Sequence, residues 1–368
     1  MWRLTVSFVF VAFKCQLQTN ALWQLLFFPP ILAGPDLLTP NEYWLPGQVV
    51  PVHYDFKLVV HMDNLTTRGE VKVEVDVVKA TSSITLHANS SFLKIDHEKV
   101  AVEALVIVPE LRGLGGDEKI PVKGHTEDGE KEFYTLELGS QVDAGQKLRL
   151  TIPYSGVIRD GRKGTVTKNS NDTNGNATEQ FGFYASTDGD WGLMAITFFE
   201  ALGARKALPC FDEPKLKATF TVSLARPKQY SSLGNMPYKE KGAVMEEDDG
   251  YLWDHYEKSV KMSTYLLKWM VSKYGYAEAE TKRGIKIRAY YGENATESML
   301  YGAQNGAKMM DYLEQVFKLE YQLPKMDMVT VPFFPYGAME EWGLMTFRIR
   351  YLQFEEEHNS WRFAMDLE

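Results

Sequence analysis

The stretch with the clearest chemical potential is residues 323–347, in which small residues directly precede a carboxylate. A short alternating run at residues 326–331 predicts a strand, which Pro332 ends. The segment that follows contains Gly337, Ala338, Met339 and Glu340. An extended edge of this kind can lie alongside the backbone of another peptide, and its carboxylate would then meet a positive charge at that peptide's end. The alternative is an ordinary hairpin in which the Glu340-Glu341 pair is solvated.

The composition limits the classes of protein to which the chain can belong. Its 368 residues are 45% hydrophobic and 24% charged, which is ordinary for a globular protein with room for two domains. The net charge of −9 argues against nucleic acid as a main partner, because nucleic-acid binding requires clustered positive charge. Cys210 lies between Pro209 and Phe211 and is predicted to be a buried apolar thiol.

Alternating apolar residues predict a mainly β structure from about residue 43 to residue 276. Three segments show the alternation well, namely residues 53–61, 70–78 and 147–153. Turn residues separate such segments, and a long succession of short strands predicts a large antiparallel sandwich or saddle.

The pattern changes after about residue 277. A strand is predicted at residues 284–291 and a helix at residues 296–317. The apolar residues of this helix recur at steps of three and four and are predicted to form one face: Met299, Leu300, Ala303, Ala307, Met310, Leu313 and Phe317.

Four blocks of sequence extend the pattern far beyond one tetrapeptide. They are residues 43–55 with YWLP and PVHYD, residues 199–220 with FE, ARKALPCFDEP and KATF, residues 262–267 with MSTYLL, and residues 337–344 with GAMEEWGL. In content and order they are similar to the corresponding blocks of the aminopeptidase N family of zinc metallopeptidases. The resemblance covers about residues 43–347.

The resemblance implies a fold and a division into domains. It implies a mainly β, saddle-like sandwich domain at residues 34–276, followed at residues 277–368 by an incomplete α+β thermolysin-like catalytic domain. Residues 1–33 contain a short apolar run after Arg3, which favours a signal peptide and leaves an uncleaved signal anchor open.

The resemblance also implies a binding site for the N-termini of peptides. A free α-amino group is largely cationic at neutral pH, and paired carboxylates recognise it well. Glu340 and Glu200 match the two carboxylates that contact the substrate amine in the family. Gly337, Ala338 and Met339 match the backbone edge that holds the substrate. Read without the resemblance, the two glutamates would be separate surface residues.

Zinc is the cofactor that the resemblance implies, and the sequence lacks the ligands for it. Zincins take two ligands from a helical H-E-x-x-H motif and a third from a distant glutamate. The seven histidines are His53, His61, His87, His97, His125, His255 and His358, and no two of them are four residues apart. The family's zinc helix would follow shortly after residue 368. The run of glutamates before His358 is too weak a pattern to predict a substitute metal site, so no complete catalytic site is expected.

Three departures from the family pattern lie near the implied site. Glu341 stands where the family usually has Asn, Phe333 replaces a common Asp, and Leu202-Gly203 replaces a Thr-Asp-like pair. A carboxylate at residue 341 would raise the pKa of one member of the Glu340-Glu341 pair or strengthen cation binding, depending on burial.

Export from the cell is the favoured localisation, either as a secreted or as a cell-surface protein. Besides the leader, the chain contains sequons at Asn64, Asn89, Asn171, Asn176 and Asn294 as expected glycosylation sites. A membrane anchor and a homodimer are both compatible with the sequence.

Three hypotheses of function follow. In the first, the chain is the N-terminal region of a zinc aminopeptidase and is inactive by itself. In the second, it is a non-catalytic extracellular module that binds peptides or proteins. In the third, it is a metal-independent hydrolase, which would require a Ser-His-Asp arrangement or a histidine close to Cys210, and Cys210 has no histidine near it in the sequence.

Overall fold

The structure is a computed structural model of the chain. It describes residues 42–105, 118–160, 182–187, 192–292, 297–332, 334 and 336–352. Several predictions concern residues outside this set: the leader at residues 1–33, the sequons at Asn171, Asn176 and Asn294, Phe333, and the acidic run before His358.

The described residues form mostly strands. In chain order the strands are β1 (Val49–His61), β2 (Thr66–Val77), β3 (Thr81–His87), β4 (Leu93–Ile95), β5 (Ala101–Ala104), β6 (Glu118–Ile120), β7 (Val122–Asp128), β8 (Phe133–Val142), β9 (Lys147–Val157), β10 (Arg159–Asp160), β11 (Gly182–Thr187), β12 (Leu193–Phe198), β13 (Thr219–Pro227), β14 (Ser231–Gly234), β15 (Tyr238–Val244), β16 (Tyr251–Tyr256), β17 (Trp269–Ser272), β18 (Tyr276–Glu280), β19 (Lys286–Tyr290), β20 (Lys325–Thr330), β21 (Ala338–Met339) and β22 (Leu344–Phe347). The helices are α1 (Glu297–Phe317) and α2 (Ile349–Leu352).

The largest sheet has the order β15-β16-β13-β1-β2-β9-β5-β6, with β4 also paired to β9. Its central strands follow the predicted alternation, because every second residue of β2 from Val71 to Val77 is buried while the intervening residues are more accessible. The small sheet β3-β8-β7 contributes Ile84 and Leu136 to the same core.

One part of the β prediction is wrong. The large sheet is mixed rather than antiparallel, because β1 pairs with β13 in parallel, from His53 opposite Thr219 to Val59 opposite Ala225. Parallel neighbours require a long crossover connection, and strands β2 to β12 lie between these two strands in the chain.

Two further sheets meet where the implied site lies. One has the order β10-β11-β12-β17-β14 and the other the order β18-β19-β20-β22-β21. Apolar residues from both sheets, among them Ile196, Met270 and Val329, form one buried cluster. Strand β20 is buried on both faces, as expected for a strand between two parallel neighbours.

Helix α1 covers the second of these sheets through β18 and β19. The predicted helix is confirmed, and its buried residues are Met299, Gly302, Ala303, Gly306, Ala307, Met310 and Leu313. The assignment of Leu300 to this face is wrong, because its side chain is 40% exposed. Gly302 and Gly306 take part instead, and a Cβ at Gly306 would lie 2.8 Å from Met328 Cε. Glycine at this position therefore allows the helix to pack closely on the sheet without displacing the side chains of Met328 and Ile287.

The outer side of α1 is partly apolar. Tyr301, Tyr312 and Val316 are 43%, 56% and 50% exposed. These side chains give the solvent-facing side of α1 a partly apolar surface. In the described part of the chain, no helix has the length and apolar character needed to cross a membrane.

Candidate functional site

The segment with Glu340 forms the outer edge of its sheet. Strand β21 is last in the order and pairs with β22, Ala338 opposite Phe347 and Met339 opposite Thr346. Just before it, the Gly337 carbonyl accepts a hydrogen bond of 3.0 Å from the Arg348 N–H. Among the described residues no strand lies on the other side of β21, so an extended peptide could pair with it there.

Both glutamates after β21 are buried. Glu340 is 7% exposed and Glu341 is 1% exposed. The alternative of an ordinary hairpin with a solvated glutamate pair is therefore wrong. Buried carboxylates must be compensated by cations or hydrogen bonds, which makes their surroundings informative.

Glu200 is half-buried and follows the end of β12. Two residues before it, the Phe198 ring contacts the rings of Phe334 and Tyr336, at centroid distances of 5.5 Å and 5.8 Å. Phe334 and Tyr336 lie four and two residues before Ala338, the first residue of β21. These aromatic contacts bring the segment with Glu200 and the segment with Glu340 to the same place.

The block after Glu200 is held by a buried ion pair. Arg205 Nε donates to Asp212 Oδ2 at 3.0 Å, and Arg205 Nη2 donates to the Asp212 carbonyl at 3.1 Å. Arg205 Nη1 also contacts Glu132 Oε2 at 3.2 Å, while Thr264 Oγ1 donates to Asp212 Oδ1 at 2.8 Å. Burial raises the pKa of Asp212, and Arg205 opposes that shift. Several residues of the resembling blocks thus form a support next to Glu200.

His87 completes this support in its neutral form. The Asp212 N–H donates to His87 Nδ1 at 3.1 Å, and His87 Nε2 is buried without a hydrogen-bond partner among the described residues. Burial, followed by the nearby charge of Arg205, lowers the pKa of His87 to about 3.

Cys210 lies beside His87 but is not an activated nucleophile. Their backbones form an antiparallel bridge, yet Cys210 is fully buried and burial raises the pKa of its thiol. A reactive cysteine needs an accessible thiolate. The prediction of a buried apolar thiol is confirmed, and this cysteine offers no support to the metal-independent hydrolase.

A polar seam joins the two sheets behind β21. We define it as Asn235, Lys268, Lys325, Glu341 and Gly343. Asn235 Nδ2 donates to the carbonyls of Leu266 and Trp342, at 2.8 Å and 2.7 Å, and its Oδ1 accepts a bond of 2.8 Å from the Lys268 N–H. The amide therefore uses both its donors and its acceptor inside the protein.

Lys325 is the second connection in the seam. Its ammonium donates to the carbonyl of Gly234 at 2.6 Å, to Asp327 Oδ2 at 2.6 Å and to the carbonyl of Gly343 at 2.8 Å. Three acceptors satisfy the three donors of a buried ammonium. Gly343 has φ +76°, and a Cβ there would lie 2.1 Å from the Asn235 carbonyl oxygen, so only glycine fits.

Lys268 and Glu341 form the third connection. Lys268 Nζ lies 2.6 Å from Glu341 Oε1, and both side chains are 1% exposed. Thr346 Oγ1 donates to Glu341 Oε2 at 3.3 Å, and the Lys268 ammonium lies 5.8 Å from the centre of the Phe198 ring. Burial raises the pKa of Glu341 and lowers that of Lys268, while the contact between them opposes both shifts.

The sequence marks Glu341 as a departure from the family pattern, but the role of Lys268 as its partner was not predicted. The available signal was a single lysine inside the apolar run at residues 266–271, where a buried cation would need an anionic partner. Glu341 was the departure that could have supplied it.

The two described sequons differ in their surroundings. Asn64 is exposed in the turn between β1 and β2, where its Oδ1 accepts a hydrogen bond from Thr66. Asn89 is half-buried, and its side-chain amide donates to Glu132 Oε1.

The described residues do not fit a zinc ion. Within the described ranges, no group of three or more His, Cys, Asp or Glu side chains could hold a metal. His97 and His125 stack at 3.6 Å between ring centroids, but His125 lies in β7 of the small sheet and His97 lies between β4 and β5, so neither belongs to the sheet that contains β21.

Two family models match the chain. The Peptidase M1 N-terminal domain matches residues 50–266, and the Peptidase family M1 domain matches residues 301–365. The first match begins at the second residue of β1 and includes the Arg205–Asp212 pair, and the second contains β21 and Glu340.

Curated relatives agree with these matches. The chain is 33% identical over 347 residues to thyrotropin-releasing hormone-degrading ectoenzyme of Rattus norvegicus, covering 91% of this chain and 29% of the relative. It is 32% identical over 328 residues to human endoplasmic reticulum aminopeptidase 1, covering 87% and 31%. It is 32% identical over 314 residues to mouse glutamyl aminopeptidase, covering 84% and 30%. The chain thus spans less than a third of the length of these relatives.

The buried neutral His87 predicts a pH dependence of stability. Its pKa is about 3 in the folded protein and 6.5 as the ordinary value, so the unfolded chain binds a proton that the folded protein excludes between these pH values. The free energy of unfolding should fall as the pH falls from 6.5 to about 3, with a contribution of up to about 1.4 kcal/mol per pH unit. The variant His87→Asn can still accept the bond from Asp212 and should lack this contribution.

Urea unfolding at several pH values measures the difference. The matched control is Phe133→Leu, which removes the ring next to His87 but keeps the titrating group, and it should retain the wild-type slope. Equal slopes in wild type and His87→Asn would mean that His87 is not held neutral.

Proposed function

The chain belongs to peptidase family M1, and from this premise we propose that it is the N-terminal region of a zinc aminopeptidase and binds the N-termini of peptides. In this proposal the backbone of Gly337, Ala338 and Met339 pairs with the substrate, while Glu340 and Glu200 receive its α-amino group. The observation that carries the proposal is the edge strand β21, which leads directly into a buried carboxylate.

The proposed site would make two complementary contacts with a peptide, one through the backbone of β21 and one through the carboxylate of Glu340. Backbone pairing with β21 would hold any peptide sequence, since every residue except proline offers both an N–H and a carbonyl. Glu340 has little contact with solvent, so a cation that binds there is attracted more strongly than one in water. Together these contacts select a chain end over an internal segment.

We further propose that these 368 residues do not hydrolyse peptides by themselves. Zinc in a peptidase polarises the scissile carbonyl and activates a water molecule. The printed sequence contains no H-E-x-x-H motif, and the described residues offer no substitute ligands. The residues of this chain would bind and orient the substrate, and the hydrolytic groups would have to come from elsewhere.

The same proposal includes the division into domains, the leader and the location of the protein. Residues 34–276 would form the β domain, and residues 277–368 would begin the catalytic domain. Residues 1–33 would direct export, leaving a secreted or cell-surface protein that is glycosylated at Asn64 and the other sequons. One relative is named an ectoenzyme, which supports an extracellular location. A membrane anchor and a homodimer remain compatible with this proposal.

The second candidate function is a non-catalytic extracellular module that recognises peptides or proteins. It is favoured by the presence of both amine-binding glutamates in a sequence without the zinc motif. Against it stands the exposed apolar side of α1, with Tyr312 56% and Val316 50% exposed, because a stable soluble module would normally cover such a surface.

The binding proposal predicts discrimination between a free and a blocked peptide end. Wild type should bind a short peptide with a free N-terminus at least about tenfold more tightly than the N-acetylated peptide, because only the free end carries a charge for Glu340. The variant Glu340→Gln should lose most of this difference. Isothermal titration calorimetry measures both affinities.

The matched control is Glu246→Gln, which neutralises an exposed glutamate in the turn between β15 and β16. It should bind both peptides as wild type does. Equal affinity of the wild type for the two peptides would overturn the proposal of N-terminal recognition.

The proposal of inactivity has a separate test. The purified 368-residue chain should contain no stoichiometric zinc and should not release the chromophore from an aminoacyl chromogenic substrate. Zinc content is measured by elemental analysis, and turnover is measured with and without a chelator. Stoichiometric zinc with chelator-sensitive turnover would contradict the proposal.

A further inference from the structure

Glu340 and Glu341 place two carboxyl groups next to each other in the interior of the protein. Two adjacent buried carboxylates repel each other, and an unpaired buried carboxylate is costly unless it takes up a proton. If both faced the substrate amine, the site would carry more negative charge than the single ammonium of a peptide end can balance.

The Glu341 carboxylate has partners inside the protein for both of its oxygens. Its Oε1 lies 2.6 Å from Lys268 Nζ, and its Oε2 accepts a hydrogen bond from Thr346 at 3.3 Å. Both oxygens therefore face the interior of the protein. Because Lys268 and Glu341 carry opposite charges and are both 1% exposed, together they add no net charge to the site.

The same contact fixes the edge strand. Lys268 directly precedes β17, Glu341 lies in the turn that joins β21 to β22, and its partner Thr346 lies in β22. The backbone N–H of Lys268 is bound by Asn235, which also holds the Trp342 carbonyl. The turn after β21 is therefore tied to the other sheet at two successive residues, Glu341 and Trp342.

We propose that Lys268 is a positioning residue for the peptide-binding site: it neutralises and anchors Glu341, so that Glu340 alone of the pair meets the substrate amine. This inference rests on the proposed function. It explains how the chain accommodates glutamate where the resembling family usually has asparagine. Lys268 need not touch the peptide, and its effect is transmitted through Glu341 and the turn that follows β21.

The test uses the 368-residue chain with Lys268→Met, Glu341→Gln and both together. Lys268→Met keeps the length of the side chain but leaves Glu341 without its cation. We expect this variant to bind the free-amine peptide at least about tenfold more weakly than wild type. The double variant again has no net charge at the pair, and we expect it to recover wild-type affinity within about threefold.

Affinity per folded molecule separates positioning from a merely structural role. Calorimetric affinities are corrected for the folded fraction, which is measured by near-ultraviolet circular dichroism. If Lys268 only stabilises the fold, Lys268→Met should unfold more easily but bind with unchanged affinity, and that result would overturn the proposal. Failure of the double variant to recover affinity would also overturn it, because recovery depends on charge balance.

A second measurement does not depend on peptide binding. Hydrogen exchange of the free protein should be faster at residues 337–347 in Lys268→Met, because Glu341 then lacks the cation that ties its turn to the other sheet. Unchanged exchange in Lys268→Met would overturn the positioning role even if the wild type failed to distinguish the two peptides. Equal affinity of the wild type for the free-amine and the N-acetylated peptide would instead contradict the proposed function and leave the positioning role of Lys268 in place.

Discussion

A charge removed from water must find a partner, and this constraint governs the junction between the two sheets. Lys268 and Lys325 are both almost completely buried, at 1% and 4% exposed. The Lys268 ammonium lies 2.6 Å from the Glu341 carboxylate of the facing segment, and the Lys325 ammonium lies 2.6 Å from the Asp327 carboxylate of its own strand. Removing one partner of such a buried pair typically costs about 3–5 kcal/mol. Of the two pairs, Lys268–Glu341 joins the two sheets, so separating the sheets would leave both of its charges unpaired.

The candidate site depends on that arrangement. Strand β21 consists of Ala338 and Met339 only and is paired on one side, so it has little stability of its own. The polar seam behind it supplies the missing order through Asn235, Gly343 and the Lys268–Glu341 contact. On the other side of the site, the Arg205–Asp212 pair and neutral His87 support the segment that follows Glu200. Recognition of a peptide end would thus rest on two buried polar networks from different parts of the chain.

Much of the fold could be predicted from local pattern. The valines of β2 alternate because one face of the strand is buried, and α1 repeats its apolar residues because one side packs on a sheet. The edge strand was also visible, since small residues before Glu340 allow close approach of another backbone. Membership of family M1 follows from longer blocks of sequence. Several residues of these blocks, such as Asp212 and Thr264, stabilise the fold through hydrogen bonds rather than contact a substrate.

The remainder could not be predicted because it depends on contacts between distant residues. Lys268 and Glu341 are 73 positions apart in the chain, so neither residue type reveals its partner. The parallel pairing of β1 with β13 and the exposure of Leu300 likewise follow from tertiary packing. Local pattern records which residues prefer burial, but it does not record which buried charges will meet.

The central claim is that the β21 edge, together with Glu340, receives the N-terminus of a peptide. Hydrogen–deuterium exchange of the wild-type chain with a saturating free-amine peptide tests it most directly, because pairing with β21 must protect edge amides. Protection concentrated at residues 336–341, and absent with the N-acetylated peptide, is the predicted result. Unchanged exchange in this segment, or equal protection by both peptides, would contradict the claim.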